Sequence, residues 1–181
     1  MNTKNKVKTR TILFITVSVI IFAVFNTLII QKERILADGQ TILLELAPRD
    51  PRSLMQGDYM VLRYKLADGP AEAALKGQSQ KGKMVLKLDI NNVAHFATLF
   101  KGDALKPGEI VLNYKHRHGL WFGAESFFFQ EGHAKYYIRA RYGELKVAPN
   151  GESVLIGLRD KDFKKMGPPS DADSMLQGEA Q

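Results

Sequence analysis

The residues best suited to chemistry in this sequence are carboxylates placed beside glycine and aromatic residues. Asp58 lies in the stretch GDYMVLRY (57–64), and Glu125 and Glu131 flank three consecutive phenylalanines. Two carboxylates can act as the acid and the base of a hydrolytic reaction. Their spacing neither establishes nor rejects such a pair, and no positioned nucleophile or substrate cleft can be recognised. We therefore assign no catalytic residue and prefer a protein without chemistry of its own.

The histidines raise the question of a metal site. His116 and His118 alternate along one side of a predicted strand, and Glu131 and His133 follow later in the chain. Imidazoles combined with a carboxylate are ligands that zinc accepts. Lys115 and Arg117 alternate with the first two histidines, and their positive charge disfavours a bound cation. The sequence therefore predicts no metal and no cofactor.

Ser53 is a candidate nucleophile in a stretch, PRSLMQGDYMVL, that loosely resembles a block of membrane-anchored β-fold peptidases with a Ser/Lys pair. In those enzymes the serine lies about eight residues before the glycine, where this sequence has Arg49. A serine also needs an adjacent base, and no lysine is suitably placed. This resemblance therefore gives no catalytic residue.

Composition narrows the classes of protein further. The chain has no cysteine, which excludes disulfides, thiol catalysis and cysteine-based zinc or iron–sulfur sites. The net charge of +7 would suit nucleic acid, but the basic residues from Lys4 to Arg10 all precede the first acid, Glu33. The rest of the chain is nearly balanced in charge, so we expect no nucleic-acid partner.

Residues 11–30, TILFITVSVIIFAVFNTLII, carry no charge. As a helix they would extend about 30 Å, the thickness of the hydrocarbon core of a bilayer. A cleaved signal peptide is the alternative, but its apolar region is usually about 7–15 residues long and ends at a small-x-small site. We therefore predict an uncleaved anchor. The positive charges ahead of it place the N-terminus in the cytoplasm and the remainder outside.

The remainder of the chain has the alternation and turn residues of a mainly β domain. We predict about eight short strands in a barrel or roll, with one or two short helices. The Asn91-Asn92, His118-Gly119 and Asn150-Gly151 pairs predict three hairpin turns. The strands and hairpins are predicted at 41–46, 58–66, 83–100, 110–125 and 143–158. The helices are predicted at 71–75 and within 131–143, where Ala134, Tyr137, Ile138 and Arg141 recur at helical spacing and Gly143 is the expected cap.

The stretch 57–64 has a structural and a functional interpretation. Glycine and aspartate favour a turn. In the strand that follows, alternation places Met60, Leu62 and Tyr64 on a core face. Packing does not fully account for Asp58 and Tyr59, so the sequence leaves both interpretations open and favours the structural one.

This stretch resembles the motif of the bacterial GDYxxLxY family, since Gly57, Asp58, Tyr59, Leu62 and Tyr64 all match it. The blocks DPRSLMQGDY, FGAESFFFQEG, ARYGELKV and GESVLIGLRD also look like the family's recurrent blocks, over most of the outer domain. The resemblance implies a membrane-anchored bacterial protein of uncharacterised activity that accompanies a polytopic membrane protein. It supplies no catalytic residues.

We therefore predict a single-pass protein of the bacterial inner membrane whose extracytoplasmic domain binds and supports a polytopic membrane protein. The alternative is an envelope hydrolase or small-ligand-binding domain that uses acidic and aromatic residues near the motif. The predicted parts are a basic tail, a transmembrane helix, the β-rich domain and a loose tail, at 1–10, 11–30, 31–160 and 161–181. Candidate binding residues, all charged or aromatic, are Arg52, Glu125, Phe128, Glu131 and His133.

Overall fold

The computed structural model describes residues 3–48, 59–75, 77, 80–117 and 119–169. The chain divides into two compact units, Met1–Asp38 and Gly39–Gln181. The division falls later than the predicted end of the membrane segment at residue 30. The boundary predicted at residue 160, between the β-rich domain and the loose tail, remains untested.

The first unit is the helix α1, Thr3–Asp38. Its segment Arg10–Asp38 is long and apolar enough to cross a membrane, and the apolar side chains of residues 11–30 are exposed. The side chains of Thr16, Asn26 and Thr27 each donate a hydrogen bond to the carbonyl oxygen four residues earlier, at 2.8–2.9 Å. Because polar groups have no water to bond in hydrocarbon, such internal bonds suit a helix in lipid. The structure thus shows one N-terminal helix that is long and apolar enough to span a membrane, as the sequence predicts.

The second unit is mainly β, as predicted, with nine strands in the described part of the chain rather than about eight. All the ladder pairs are antiparallel, and the strands form three sheets with the orders β1-β8-β9, β2-β7 and β4-β3-β5-β6. The strands are β1 Gln40–Glu45, β2 Tyr59–Val61, β3 Lys81–Leu88, β4 Ala94–Leu99, β5 Glu109–His116, β6 Leu120–Trp121, β7 Ser126–Phe128, β8 Tyr142–Val147 and β9 Ser153–Arg159. The short helices are α2, Pro70–Ala74, and two 3₁₀ turns, Lys65–Ala67 and His133–Tyr136.

Local turn chemistry explains the hairpins that the sequence predicts. Between β3 and β4, Oδ1 of Asp89 accepts hydrogen bonds from the N–H groups of Asn91 and Val93, both at 2.8 Å, and Asn92 has φ +59°. Between β8 and β9, Gly151 has φ +87°, a conformation that glycine adopts without steric cost. The predicted hairpin between β5 and β6 is also present.

One apolar core joins the three sheets. Most of its fully buried members come from the strands and include Ile42, Leu86, Leu112, Leu145 and Leu158. One buried charge lies beside them among the described residues. Glu144 accepts a 2.6 Å hydrogen bond from Nη2 of Arg159, so its charge is compensated.

The helix predicted within 131–143 is a single 3₁₀ turn, His133–Tyr136. Gly143, expected to cap that helix, lies inside β8, where it pairs with Leu44 and Leu158. The helical spacing of apolar residues is therefore outweighed by sheet hydrogen bonds. The sequence of this segment alone does not show the difference, because the hydrogen bonds run to the neighbouring strands β1 and β9.

Candidate functional site

The motif strand alternates as predicted. Met60, Leu62 and Tyr64 are buried, whereas Val61 and Arg63 are exposed and Tyr59 is half-buried. The first two motif positions, Gly57 and Asp58, lie outside the described residues.

Tyr64 joins the motif to a distant part of the chain. Its hydroxyl donates a 2.5 Å hydrogen bond to the carbonyl oxygen of Ala124, sixty residues later. Its ring also makes an edge contact with Phe122, with the centroids 5.8 Å apart. Burial, together with the negative charge of Glu125, raises the pKa of Tyr64 well above its ordinary value. The phenol therefore stays protonated and acts as a structural donor.

Glu125 completes this attachment. Its carbonyl oxygen accepts a 2.6 Å bond from the N–H of Leu62. Its side-chain Oε1 accepts bonds from the N–H groups of Phe122 and Gly123. The carboxylate of Glu125, a candidate for acid–base chemistry by sequence, is thus hydrogen-bonded within the turn that precedes β7.

The three consecutive phenylalanines divide between core and surface. Phe127 and Phe129 pack on the ring of Tyr137, with centroids 4.9 and 5.6 Å away. Phe128 is 73% exposed and contacts the ring of Tyr59 at 5.7 Å. Three consecutive residues of a strand cannot all point to one face, and these three side chains divide accordingly.

A groove of about 590 Å³ lies beside the motif strand. The buried side chains of Met60, Leu62 and Tyr137 line it, together with Val61 and Ile138, which are 37% and 53% exposed. The lining is therefore mostly apolar and includes solvent-exposed hydrophobic surface. A site of this kind suits an apolar ligand or partner segment.

Backbone hydrogen bonds join the segments that form the groove. The N–H of Ala47 bonds the carbonyl oxygen of Arg63 at 2.7 Å, and the N–H of Leu46 bonds that of Arg141 at 2.8 Å. The N–H of Arg141 in turn bonds the carbonyl oxygen of Arg159 at 2.8 Å. These links fix the positions of the lining segments relative to one another.

The charged residues along the groove leave a positive excess. Arg63 forms a 2.7 Å ion pair with Asp68. The hydrogen bond and the charge of the Asp68 carboxylate raise the pKa of Arg63. Lys161 lies 3.6 Å from Asp162, and Asp160, a second carboxylate that lines the groove, accepts hydrogen bonds from two backbone N–H groups. Arg139 and Arg141 are exposed and form no ion pair with any described residue. An acidic group on a bound segment would complement these two arginines.

Those of the other predicted site residues that the structure describes do not line the groove. Arg52 and Asp58 lie outside the described residues. Glu131 is exposed, and His133 makes an edge contact with the ring of Tyr136 at 5.6 Å. Tyr59, Glu125 and Glu131 do not line the groove, and the binding roles assigned to these residues stay predictions.

The groove depends on residues that sequence reasoning missed, chiefly Ile138, Arg139 and Arg141. The segment that carries them was assigned to a helix, so its contact with β2 was not expected. Among the described histidines, aspartates and glutamates, no group of three or more could hold a metal ion. His118 lies outside them.

The fold and this site define a mainly β domain preceded by a helix able to cross a membrane. The chain belongs to the GDYXXLXY protein family, whose model matches residues 21–158. That match covers the end of α1 and most of the β domain, and it confirms the resemblance carried by the motif. The chain matches none of the curated proteins and none of the solved structures with which it was compared.

Proposed function

We propose that this chain is a single-pass protein of the bacterial cytoplasmic membrane whose β domain, outside the cytoplasm, binds and supports a polytopic membrane protein. The basic residues in the first part of α1, ahead of the uncharged stretch 11–30, support this orientation through the positive-inside rule. The chain performs no chemistry in this proposal.

The observation that carries the proposal is the groove beside the motif strand. Its exposed apolar residues Val61 and Ile138 lie next to the unpaired Arg139 and Arg141. Exposed apolar surface with a polar rim is typical of protein–protein contacts. We therefore assign the groove to an apolar segment of the partner that carries at least one carboxylate.

The hydrogen bonds of Tyr64 and Glu125 support binding over catalysis. Tyr64 uses its hydroxyl, and Glu125 its carboxylate, in hydrogen bonds to the backbone of the same domain. A catalytic acid or base must instead reach a substrate proton. These two residues therefore serve to position the β2 wall of the groove.

Co-purification from gently solubilised native membranes tests the proposal. We expect the tagged chain to bring down one polytopic protein in a fixed ratio, and Ile138→Asp to lose it. The matched control is Ile90→Asp, because Ile90 is 98% exposed in the β3–β4 turn and lies away from the groove. Both variants should melt like the natural chain. A chain that purifies alone, or an equal loss in both variants, would overturn the proposal.

A further inference from the structure

A second surface of the β domain carries three cations around an exposed tryptophan. Lys81 of β3 pairs in register with Lys115 of β5, which pairs with Trp121 of β6. Residues directly opposite each other in an antiparallel sheet share a face, so these three side chains form a row across three strands. Arg117 lines the same cavity of about 580 Å³.

This row faces solvent and not the core. Lys81, Lys115 and Arg117 are exposed, and Trp121 is 46% exposed. The neighbouring positions in the chain point the other way, as shown by the buried Tyr114, which precedes Lys115. The surface is thus distinct from the apolar core and belongs to the outer side of the β4-β3-β5-β6 sheet.

The positive charge of this surface is largely uncompensated. None of the three cations forms an ion pair with a described residue. Among the described residues one carboxylate lines the cavity, Glu125, which is bonded to the N–H groups of Phe122 and Gly123 and offsets at most one of the three positive charges. Like charges directly opposite each other, as Lys81 and Lys115 are, destabilise a sheet. A bound anion would remove that repulsion.

We propose that this surface, defined by Lys81, Lys115, Arg117 and Trp121, binds the headgroups of anionic phospholipids. Tryptophan is enriched at the membrane–water interface, where its apolar ring and polar N–H each find a suitable environment. Clustered lysine and arginine bind anionic headgroups through Coulomb attraction. An acidic protein would satisfy the cations, but the exposed indole favours the lipid interface.

The inference rests on the membrane anchoring in the proposed function and is independent of the groove. Only Gly39 separates α1 from β1 in the chain. An anchor in the bilayer would keep the β domain at a high local concentration of headgroups, so that weak contacts to lipid suffice. The contact then limits the orientations that the domain adopts at the bilayer.

The chain has one tryptophan, so its fluorescence reports directly on this surface. The full-length chain is reconstituted in nanodiscs with a tryptophan-free scaffold protein, made of phosphatidylcholine alone or of phosphatidylcholine with phosphatidylglycerol. We expect phosphatidylglycerol to shift the Trp121 emission to shorter wavelength and to lower its quenching by acrylamide. Salt at about 1 M, where the Debye length is about 3 Å, should reverse both effects.

Two triple variants with the same change in charge separate site binding from general attraction. K81Q/K115Q/R117Q should lose the response, with docking weakened about fivefold for each cation removed. K101Q/K106Q/K164Q, which changes three exposed lysines outside this cavity, should keep it.

Equal emission in the two lipid compositions, or an equal loss in both variants, would overturn the inference. So would the same emission shift produced by inorganic phosphate in phosphatidylcholine discs, which would indicate a soluble anion as the ligand. Failure of the chain to enter the discs would instead count against its membrane anchoring. The two proposals therefore fail in distinguishable ways.

Discussion

The ring of Tyr64 lies so close to the backbone of Gly143 that a Cβ atom on residue 143 would come within 2.9 Å of the ring's Cε1. Contacts this short do not occur between unstrained atoms. The motif tyrosine therefore requires a glycine in β8, and it holds β2 against the β1-β8-β9 sheet. Tyr64, the last residue of the motif, thus fixes the β2 wall of the groove.

Replacing Gly143 by alanine tests this contact. We expect Gly143→Ala to destabilise the domain by about 1–3 kcal/mol, because the methyl group forces the buried ring to move. Gly157→Ala is the matched control, since a Cβ there meets its nearest neighbour at 3.6 Å, an ordinary contact. Chemical denaturation of both variants gives the measurement. Equal stabilities would show that the ring is free to move aside.

The hydroxyl of Tyr64 gives a second prediction. Tyr64→Phe leaves the buried carbonyl oxygen of Ala124 without this donor, and we expect a loss of about 1–3 kcal/mol in the free energy of unfolding. Tyr59→Phe should be nearly neutral, because the half-buried Tyr59 makes a ring contact and no hydrogen bond to a described residue. A neutral Tyr64→Phe in the same denaturation experiment would contradict the structural role.

Asp89 predicts a pH dependence of stability. Partial burial pushes its pKa upward, but hydrogen bonds from the N–H groups of Val93 and Asn91, and the neighbouring His95, outweigh this effect and lower the pKa overall. Since the pKa of the folded state lies below the unfolded value of about 4, this contribution is present above pH 4 and is lost as the pH falls through the folded pKa.

The variant Asp89→Asn isolates that contribution, because asparagine also accepts hydrogen bonds in turns but carries no charge. We expect the natural chain to lose more stability than the variant when the pH is lowered from neutral to below the folded pKa. Thermal melts across that range measure the difference. Parallel losses in the two proteins would exclude Asp89 as the cause.

The absence of cysteine from the sequence makes the predicted topology directly testable. Single cysteines at Lys4 and Lys101 place one thiol ahead of the uncharged stretch 11–30 and one on the β domain. In intact spheroplasts we expect a membrane-impermeant maleimide to label Lys101→Cys and to label Lys4→Cys only after lysis. The reverse pattern would invert the orientation assigned from the basic tail.

The sequence predicts those features of the fold that depend on neighbouring residues. The Asn-rich turn after β3 and the Asn150-Gly151 turn act through side chains and backbone angles within a few positions, so their hairpins could be predicted. Alternation likewise placed Met60, Leu62 and Tyr64 on the buried face.

Contacts between distant segments could not be predicted in the same way. The acceptor of the Tyr64 hydroxyl lies sixty residues away at Ala124, and the ring rests on Gly143. The groove brings Val61 next to Ile138, which belonged to a segment with helical spacing. Such sites require the pairing of strands, which no local pattern in this sequence specifies.

The central claim is that the groove beside the motif strand holds a segment of a membrane-protein partner. Site-specific photo-crosslinking in living cells tests it most directly, with a photoreactive amino acid at Ile138 and, as control, at the fully exposed Ile90. We predict one discrete adduct with a polytopic membrane protein from position 138 and none from position 90. No adduct from position 138, or the same adducts from both positions, would contradict the claim.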